Sequence, residues 1–248
     1  MNTIRAAIRF ALFVVSTLAL YAIWFVGNIL IPNRIYWRQL VFGTWTRSFV
    51  RISGMNIEVI GKPPRPPFFL VSNHLSYLDM AALRATVNGI FVAKSEINDW
   101  FLAGRIVRDL GMIFINRDNR RDIPRAGVEI IKRLEAGEGV IVFPEGTSTK
   151  GEEVRPFNSS FLEFAARSDI PVSYVAISYR TPPGELPASI IACWWDDTSF
   201  FAHMWRLFKV PNYTAILNFG DEQIINTDRK ALAAELREKV AERFIPVI

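Results

Sequence analysis

Three short polar segments in this 248-residue chain carry the residue types for chemistry, and each follows an apolar run. The first is Asn73-His74-Leu75-Ser76-Tyr77-Leu78-Asp79, directly after Phe68-Phe69-Leu70-Val71-Ser72. A His poised near neutral pH takes a proton from an alcohol when a partner orients its other ring nitrogen. Asp79, five residues on and at the expected start of a helix, is able to fold back as that partner. The same spacing also fits a helix-capping Asp beside a structural His. The second segment is Phe143-Pro144-Glu145-Gly146-Thr147-Ser148. Gly146 permits a tight turn with exposed backbone N–H groups, which suit an anion, and Glu145 is placed to hold a hydroxyl or an arginine. A plain strand-to-helix turn fits it equally. The third, Gly111-Met112-Ile113-Phe114-Ile115-Asn116-Arg117, delivers a guanidinium at a strand's carboxyl end, and guanidinium groups grip phosphate bidentately. Arg120, Arg121 and Arg125 follow, and these also fit a solvated helix face.

Polar residues at the carboxyl ends of buried strands are where α/β folds place their ligands. The elements that position these three are therefore decisive. Apolar, β-rich runs lie at Phe68–Ser72, Ile90–Ala93, Met112–Ile115, Val140–Phe143, Val172–Ser178 and Tyr213–Phe219. Helix-length patterns lie between and after them, at about Asp79–Thr86, Trp100–Leu110, Ile123–Leu134, Phe157–Arg167 and Asp228–Phe244. Asp122 and Thr227 are the cap candidates for the third and last of these, and Pro124 suits a first turn. Four prolines between Lys62 and Pro67 make a stiff connector. The alternation predicts a layered α/β domain with a mostly buried, mixed sheet.

The N-terminus differs. Phe10 to Ile31 is 22 residues without a charge, about 33 Å as a helix, enough for a hydrocarbon core of about 30 Å. It is too long for a signal-peptide core and lacks a small-x-small exit. Residues 34–51 interleave aromatic rings with Arg34, Arg38, Arg47 and Arg51, a mixture suited either to the headgroup layer or to packing on the domain. The expectation is a membrane-anchoring helix or helical hairpin over residues 1–53, followed by one domain over 54–248. Four arginines after the apolar run against two before it put the body on the cytoplasmic side of a spanning helix, at the inner membrane if the source is bacterial.

Composition closes other routes. Half the residues are hydrophobic and 21% are charged, which excludes a disordered chain. One Cys and two His leave little for a metal centre, and none is expected. The excess of +5 suits an anionic surface better than nucleic acid, and no nucleic-acid partner is expected. There is no dinucleotide fingerprint, no phosphate loop and no Gly-x-Ser-x-Gly turn. His203, among Phe200, Phe201, Trp205 and Phe208, reads as part of a core or membrane-facing aromatic segment.

The order Asn73-His74 to Asp79, Gly111 to Arg117, Phe143 to Thr147, then Ile170-Pro171-Val172 resembles the glycerolipid acyltransferase superfamily, best known for its 1-acyl-sn-glycerol-3-phosphate acyltransferases. Val92-Ala93-Lys94-Ser95-Glu96 is similar to the family's intervening stretch. The resemblance covers roughly residues 55–225. It implies an acyltransferase domain over 54–248 in which His74 is the general base and Asp79 orients it. It also implies that Arg117, Glu145, Gly146 and Thr147 bind the acceptor, with Asn73, Ser76, Lys94 and Ser148 as secondary candidates for substrate binding. A lyso-lipid hydroxyl attacks an acyl thioester directly, the donor being acyl-CoA or acyl carrier protein, with membrane lipids as surroundings and no cofactor. The main expectation for the acceptor is 1-acyl-sn-glycerol-3-phosphate, giving phosphatidic acid. Two departures bear on this. Ser148-Thr149 stands where many such enzymes have Arg-Ser, and Asn158-Ser159-Ser160 where many have Lys-x-Gly. Fewer cations weaken a preference for phosphate, so a lyso-ornithine lipid is the alternative acceptor. A non-catalytic lipid-binding protein and a thioesterase are the competing classes. The intact His-Asp pair argues against the first, and Arg117 with Glu145 against the second.

Overall fold

The structure is a computed structural model that describes residues 2–95, 103–116 and 122–247. Seven strands form one sheet in the order β1-β7-β6-β2-β5-β3-β4. In sequence these are β1 (Met55–Ile60), β2 (Phe68–Ser72), β3 (Gly89–Lys94), β4 (Ile113–Ile115), β5 (Gly139–Val142), β6 (Val172–Arg180) and β7 (Tyr213–Phe219). All neighbours run parallel except β6 and β7, so the sheet is mixed. Parallel strands covered on both faces read as continuous apolar runs, and every residue of β2 and β5 is buried.

Successive side chains alternate between two cores, as the period of two requires. Phe68, Leu70, Phe91, Ile141 and Ile177 face one, while Phe69, Val71, Ile90, Val140 and Ala176 face the other. The first core is covered by α3 (Leu78–Thr86), α7 (Ala188–Ile191), α8 (Phe200–Lys209) and two N-terminal helices. The second is covered by α5 (Asp122–Glu135), α6 (Glu163–Arg167) and α9 (Arg229–Arg243). A further helix, α4 (Ala103–Asp109), lies between β3 and β4, and the beginning of the expected Trp100–Leu110 helix falls outside the described residues. The last helix is capped by Asp228 and not by Thr227: the Asp228 carboxylate accepts from Lys230 N and Ala231 N. Asp122 lies within the first turn of α5, where its carboxylate accepts from Asn116 N and pairs with Arg125.

The N-terminal run forms α1 (Asn2–Leu30), and α2 (Arg34–Ser53) returns beside it after an Asn33 cap. Gly54 ends α2 in the left-handed region, with φ of 77°, where a residue without Cβ is unstrained. The helix α1 is fastened to the body along its length. Arg5 donates to Lys209 O, and Arg9 to Val210 O and Pro211 O, at the end of α8. Thr17 Oγ1 accepts from Trp45 Nε1, Tyr21 donates to Asp109 at the end of α4, and Trp24 O accepts from Trp37 Nε1. The opposite face of α1 carries Ile4, Ile8, Leu12, Val15, Leu18, Val26 and Ile29, all exposed and spaced as one helical stripe. Beneath α2, Arg38 pairs with the buried carboxylate of Glu138, which also binds Arg133 and Gln39. Buried Arg84 donates to Gln39 O and to Asn88 Oδ1.

Candidate active site

Strands β2, β5, β3 and β4 run parallel side by side, so their carboxyl ends meet along one edge of the sheet. The loop after β2 carries His74, and the loop after β5 carries Glu145. Asn73 closes β2 by imitating a ladder rung: its side chain donates to Ile177 O at 2.9 Å and accepts from Ile177 N at 2.7 Å. Both functions of this secondary candidate are therefore spent on β6.

His74 Nδ1 lies 2.8 Å from Asp79 Oδ2. Asp79 does not cap α3. Its carboxylate turns back and accepts from Leu75 N at 2.7 Å and Ser76 N at 3.0 Å, which fixes the loop on which His74 sits. Asp79 is fully buried. An ionised carboxylate persists there only if donors satisfy it. The fourth donor is the Tyr179 hydroxyl on β6, 2.7 Å from Oδ1. Burial, followed by the charge of Asp79, pushes the Tyr179 hydroxyl well above the usual tyrosine range, so it remains a donor. A carboxylate only accepts, so His74 Nδ1 carries the hydrogen and Nε2 the lone pair. Nε2 has no protein partner among the described residues, and the imidazole is 23% exposed. The ring stacks on Phe143 at 4.2 Å between centroids. His74 O accepts from Thr149 N at 3.0 Å, joining the β2 and β5 loops.

Gly146 has a φ of 82°, and its N–H donates to Phe143 O, closing the turn. Beside it, both carboxyl oxygens of Glu145 are buried without a hydrogen-bond partner. Burial pushes this carboxyl up from 4.5 to about 8. The backbone N–H groups of His74 and Arg155 pull it partly back, though neither reaches hydrogen-bond geometry. A buried acceptor pair left empty is costly, and among the described residues no group fills it. Thr147 is exposed, and Ser76 is buried with its hydroxyl unpaired. Lys94 is exposed at the end of β3. Ser148 donates to Trp194 O. Arg117, with Arg120 and Arg121, lies outside the described residues, two positions beyond the end of β4.

Sequence reasoning missed two partners. Tyr179 is one hundred residues from Asp79 and stands at the end of an apolar strand. Trp194 touches the loop that carries His74 through its backbone, donating to Leu75 O at 2.8 Å. His203 lies beneath them. Burial, then Arg206, lowers its pKa to about 4, so it is neutral at pH 7. Its Nε2 bonds Cys193 O at 3.0 Å, and its Nδ1 takes the Tyr77 hydroxyl at 3.1 Å. Among the described residues no three His, Cys, Asp or Glu side chains gather as metal ligands would.

A sequence model of the Acyltransferase family matches residues 55–178, half of the chain and a span that holds His74, Asp79 and Glu145 but ends before Tyr179, Trp194 and His203. This chain belongs to the Acyltransferase family. Among its relatives in that family, the lyso-ornithine lipid O-acyltransferase of Brucella abortus is 29% identical over 217 residues, covering 82% of this chain and 81% of that protein. The enzyme of the same name from Pseudomonas aeruginosa is 30% identical, covering 69% of this chain and 65% of that one. The 1-acyl-sn-glycerol-3-phosphate acyltransferase of Neisseria gonorrhoeae is 28% identical over 73% of this chain and 72% of its own. The fold matches the crystal structure of the 1-acyl-sn-glycerophosphate (LPA) acyltransferase PlsC from Thermotoga maritima. The TM-score is 0.68 over 98% of this chain and 97% of that one, at 21% identity. The mixed seven-stranded sheet of this acyltransferase and its helical layers are the layered α/β architecture expected from the sequence.

Proposed function

We propose that this acyltransferase moves an acyl chain from a thioester, carried by coenzyme A or acyl carrier protein, to the free hydroxyl of a lyso-lipid. The observation that carries the reading is His74 Nδ1 held at 2.8 Å by a buried, fully satisfied Asp79, with Nε2 unoccupied. The acceptor hydroxyl gives its proton to Nε2 as its oxygen attacks the thioester carbon. The new C–O bond forms, the C–S bond breaks, and the thiolate leaves with the proton from His74. Asp79 keeps the tautomer and steadies the imidazolium between the two transfers. Residues 54–248 form the catalytic domain in this reading, and Arg117, Glu145, Gly146 and Thr147 hold the acceptor. The acceptor is 1-acyl-sn-glycerol-3-phosphate and the product phosphatidic acid, a reading supported by the Gly111–Arg117 segment and the Neisseria relative.

A specific observation favours a second acceptor. Glu145 offers an unpaired carboxyl in the position that would face the acceptor head. Neither Ser148, tied to Trp194, nor Asn158, which caps Ser160 N, supplies a cation. Lys150 is engaged by Glu152 at 2.7 Å. Such a site suits a head with an ammonium group, as in a lyso-ornithine lipid, the acceptor in the names of the Brucella and Pseudomonas relatives.

The membrane reading follows from α1. Its outer stripe is apolar, while its inner face is pinned to α2, α4 and α8. The hairpin α1–α2 therefore sinks into one leaflet in this reading, with residues 1–53 as the anchor, and a chain that does not cross the membrane keeps its body on the cytoplasmic side where it is made. Membranes holding the protein, given a labelled acyl thioester and a panel of lyso-lipids, test the acceptor by mass spectrometry. Phosphatidic acid as the main product supports the first reading. An acylated ornithine lipid as the main product replaces it with the second. Fatty acid released without any acylated lipid contradicts both.

A further inference from the structure

We propose that the segment from Leu186 to Phe201 is a second membrane-contact surface. It is an aromatic rim that continues the lipid-facing side of α1 to the mouth of the His74 site. This inference rests on the reading of α1 as the anchor, and its occupant is the same lipid leaflet.

Four large apolar side chains stand out from this short stretch: Leu186 is 53% exposed, Ile190 41%, Trp195 48% and Phe201 66%. Scattered apolar residues on a surface need no explanation, but a contiguous patch marks a contact. Of the four, Phe201 is joined by ring contacts both to α1 and towards the His74 site. Phe10 of α1 meets Phe201 edge-on at 6.4 Å, and Phe201 meets Phe200 at 5.5 Å. Phe200 meets Tyr77 at 4.9 Å and Trp194 at 6.1 Å. Tyr77 lies between His74 and Asp79, so a row of rings, partly buried against the core except at exposed Phe201, joins α1 to the loop that carries His74. Arg5, bound to Lys209 O, fixes the distance between α1 and α8.

The polar ends of the rim are already satisfied. Trp194 Nε1 donates to Thr198 O at 2.6 Å, and Trp195 Nε1 to Ser189 O at 3.3 Å. The rings therefore enter an apolar or interfacial medium without stranding a donor, and aromatic rings are enriched at that depth. The charges nearby do not suit the other candidate occupant, an acidic carrier protein. Asp196 and Asp197 are exposed at the tip, Arg206 of α8 acts on Asp196, and Lys150, 5.9 Å over the Trp195 ring, is paired with Glu152. An acidic partner would meet like charge there. An apolar contact needs no anionic lipid and resists salt.

The rim is also rigidly joined to the chemistry. Trp194 N donates to Leu75 O, Ser148 to Trp194 O, and His203 bridges Cys193 O and the Tyr77 hydroxyl. The depth at which the rim sits thus sets the height of His74 above the acceptor's hydroxyl.

The test uses the full chain in vesicles of phosphatidylethanolamine and phosphatidylglycerol. An environment-sensitive fluorophore is placed at Trp195→Cys or Phe201→Cys. Leu12→Cys on α1 and Glu238→Cys on the far helix α9 are the references. Buried Cys193 does not compete for the label. Emission from positions 195 and 201 shifts to the blue and is quenched by brominated lipid in high salt, as at position 12, while position 238 stays water-like. Quenching at 12 with water-like emission at 195 and 201 overturns the rim and leaves the anchor standing. Water-like emission at all three overturns both. A blue shift at 195 and 201 that depends on protein concentration without vesicles assigns the patch to a second copy and overturns the lipid assignment. A Trp195→Ser, Phe201→Ser double variant should raise KM several-fold for acceptor embedded in vesicles. For a short-chain, water-soluble acceptor it should leave kcat unchanged, whereas a general structural defect lowers both.

Discussion

The Tyr179 hydroxyl donates to Oδ1 of Asp79 at 2.7 Å, the carboxylate oxygen that His74 leaves unused. His74, the carboxylate of Asp79 and a tyrosine from the neighbouring strand β6 thus form one chain of hydrogen bonds. In Tyr179→Phe the carboxylate loses one of four donors. A bond to a charged group contributes about 1.5–3 kcal/mol, so stability falls by about that amount. The acceptor KM stays near its original value while kcat drops, because the hydroxyl touches only Asp79. Denaturant unfolding and steady-state kinetics on the same preparation check both. A variant with normal kcat removes Tyr179 from that hydrogen-bonded chain.

Asp79→Asn tests the tautomer. An amide in this place either presents N–H where Oδ2 accepts three donors, or keeps those three and donates to the Tyr179 hydroxyl, which then accepts. Either arrangement removes the charge that steadies an imidazolium. Loss of about 10²–10⁴-fold in kcat is expected, the range for positioned acid–base groups.

Glu145 sets a pH dependence of stability. Its carboxyl titrates at about 8 in the fold against an ordinary 4.5. The folded state then holds a proton that the unfolded state has released, so its contribution is most favourable below pH 4.5 and is lost progressively up to about pH 8. Glu145→Gln should flatten that decline and be more stable than the parent at pH 8, while losing acceptor affinity. Thermal unfolding across pH 4 to 9 in detergent reads it. Equal slopes for the two proteins would mean that the carboxyl is not desolvated.

Ser148 and Asn158 stand where the family resemblance implies cations, and each is occupied here by a bond within the protein. Ser148→Arg combined with Asn158→Lys should raise kcat/KM for 1-acyl-sn-glycerol-3-phosphate relative to lyso-ornithine lipid. Competition between the two acceptors in one vesicle measures the ratio. A ratio that falls would place these positions outside the head-group pocket.

The anchor hairpin depends on a buried charge. Glu138 is almost inaccessible and serves Arg38, Arg133 and Gln39. Removing one side of such a pair strands the other and costs about 3–5 kcal/mol. Glu138→Ala should therefore destabilise by that amount, whereas Lys150→Ala, which breaks an exposed pair, should change stability by less than about 1 kcal/mol.

Much of this arrangement was legible in the sequence, for identifiable reasons. The run Phe68–Ser72 is β2 as expected, because a fully buried strand must be apolar at every position. The edge strand β1 escaped because only Met55 in it is buried. The helix α8 reads in the sequence only as an aromatic segment, although Ser199 caps it by accepting from Ala202 N and its aromatic residues share one side. His74 and Asp79 were found together because they share one loop. Tyr179 was not, since only the pairing of β2 with β6 brings it near. Trp194 and Asn73 act through backbone partners, and backbone partners leave no mark in a residue pattern. That Glu145 is an acceptor without a donor follows only from what surrounds it.

The central claim is that Nε2 of His74 takes the proton of the lyso-lipid hydroxyl. Single-turnover transfer of a labelled acyl group from its thioester, in membranes holding either the parent protein or His74→Ala, tests it most directly. The account predicts a rate lower by about 10²–10⁴-fold in the variant, with the acceptor still bound and the fold unchanged by circular dichroism. Transfer by the variant at the parent rate would contradict it.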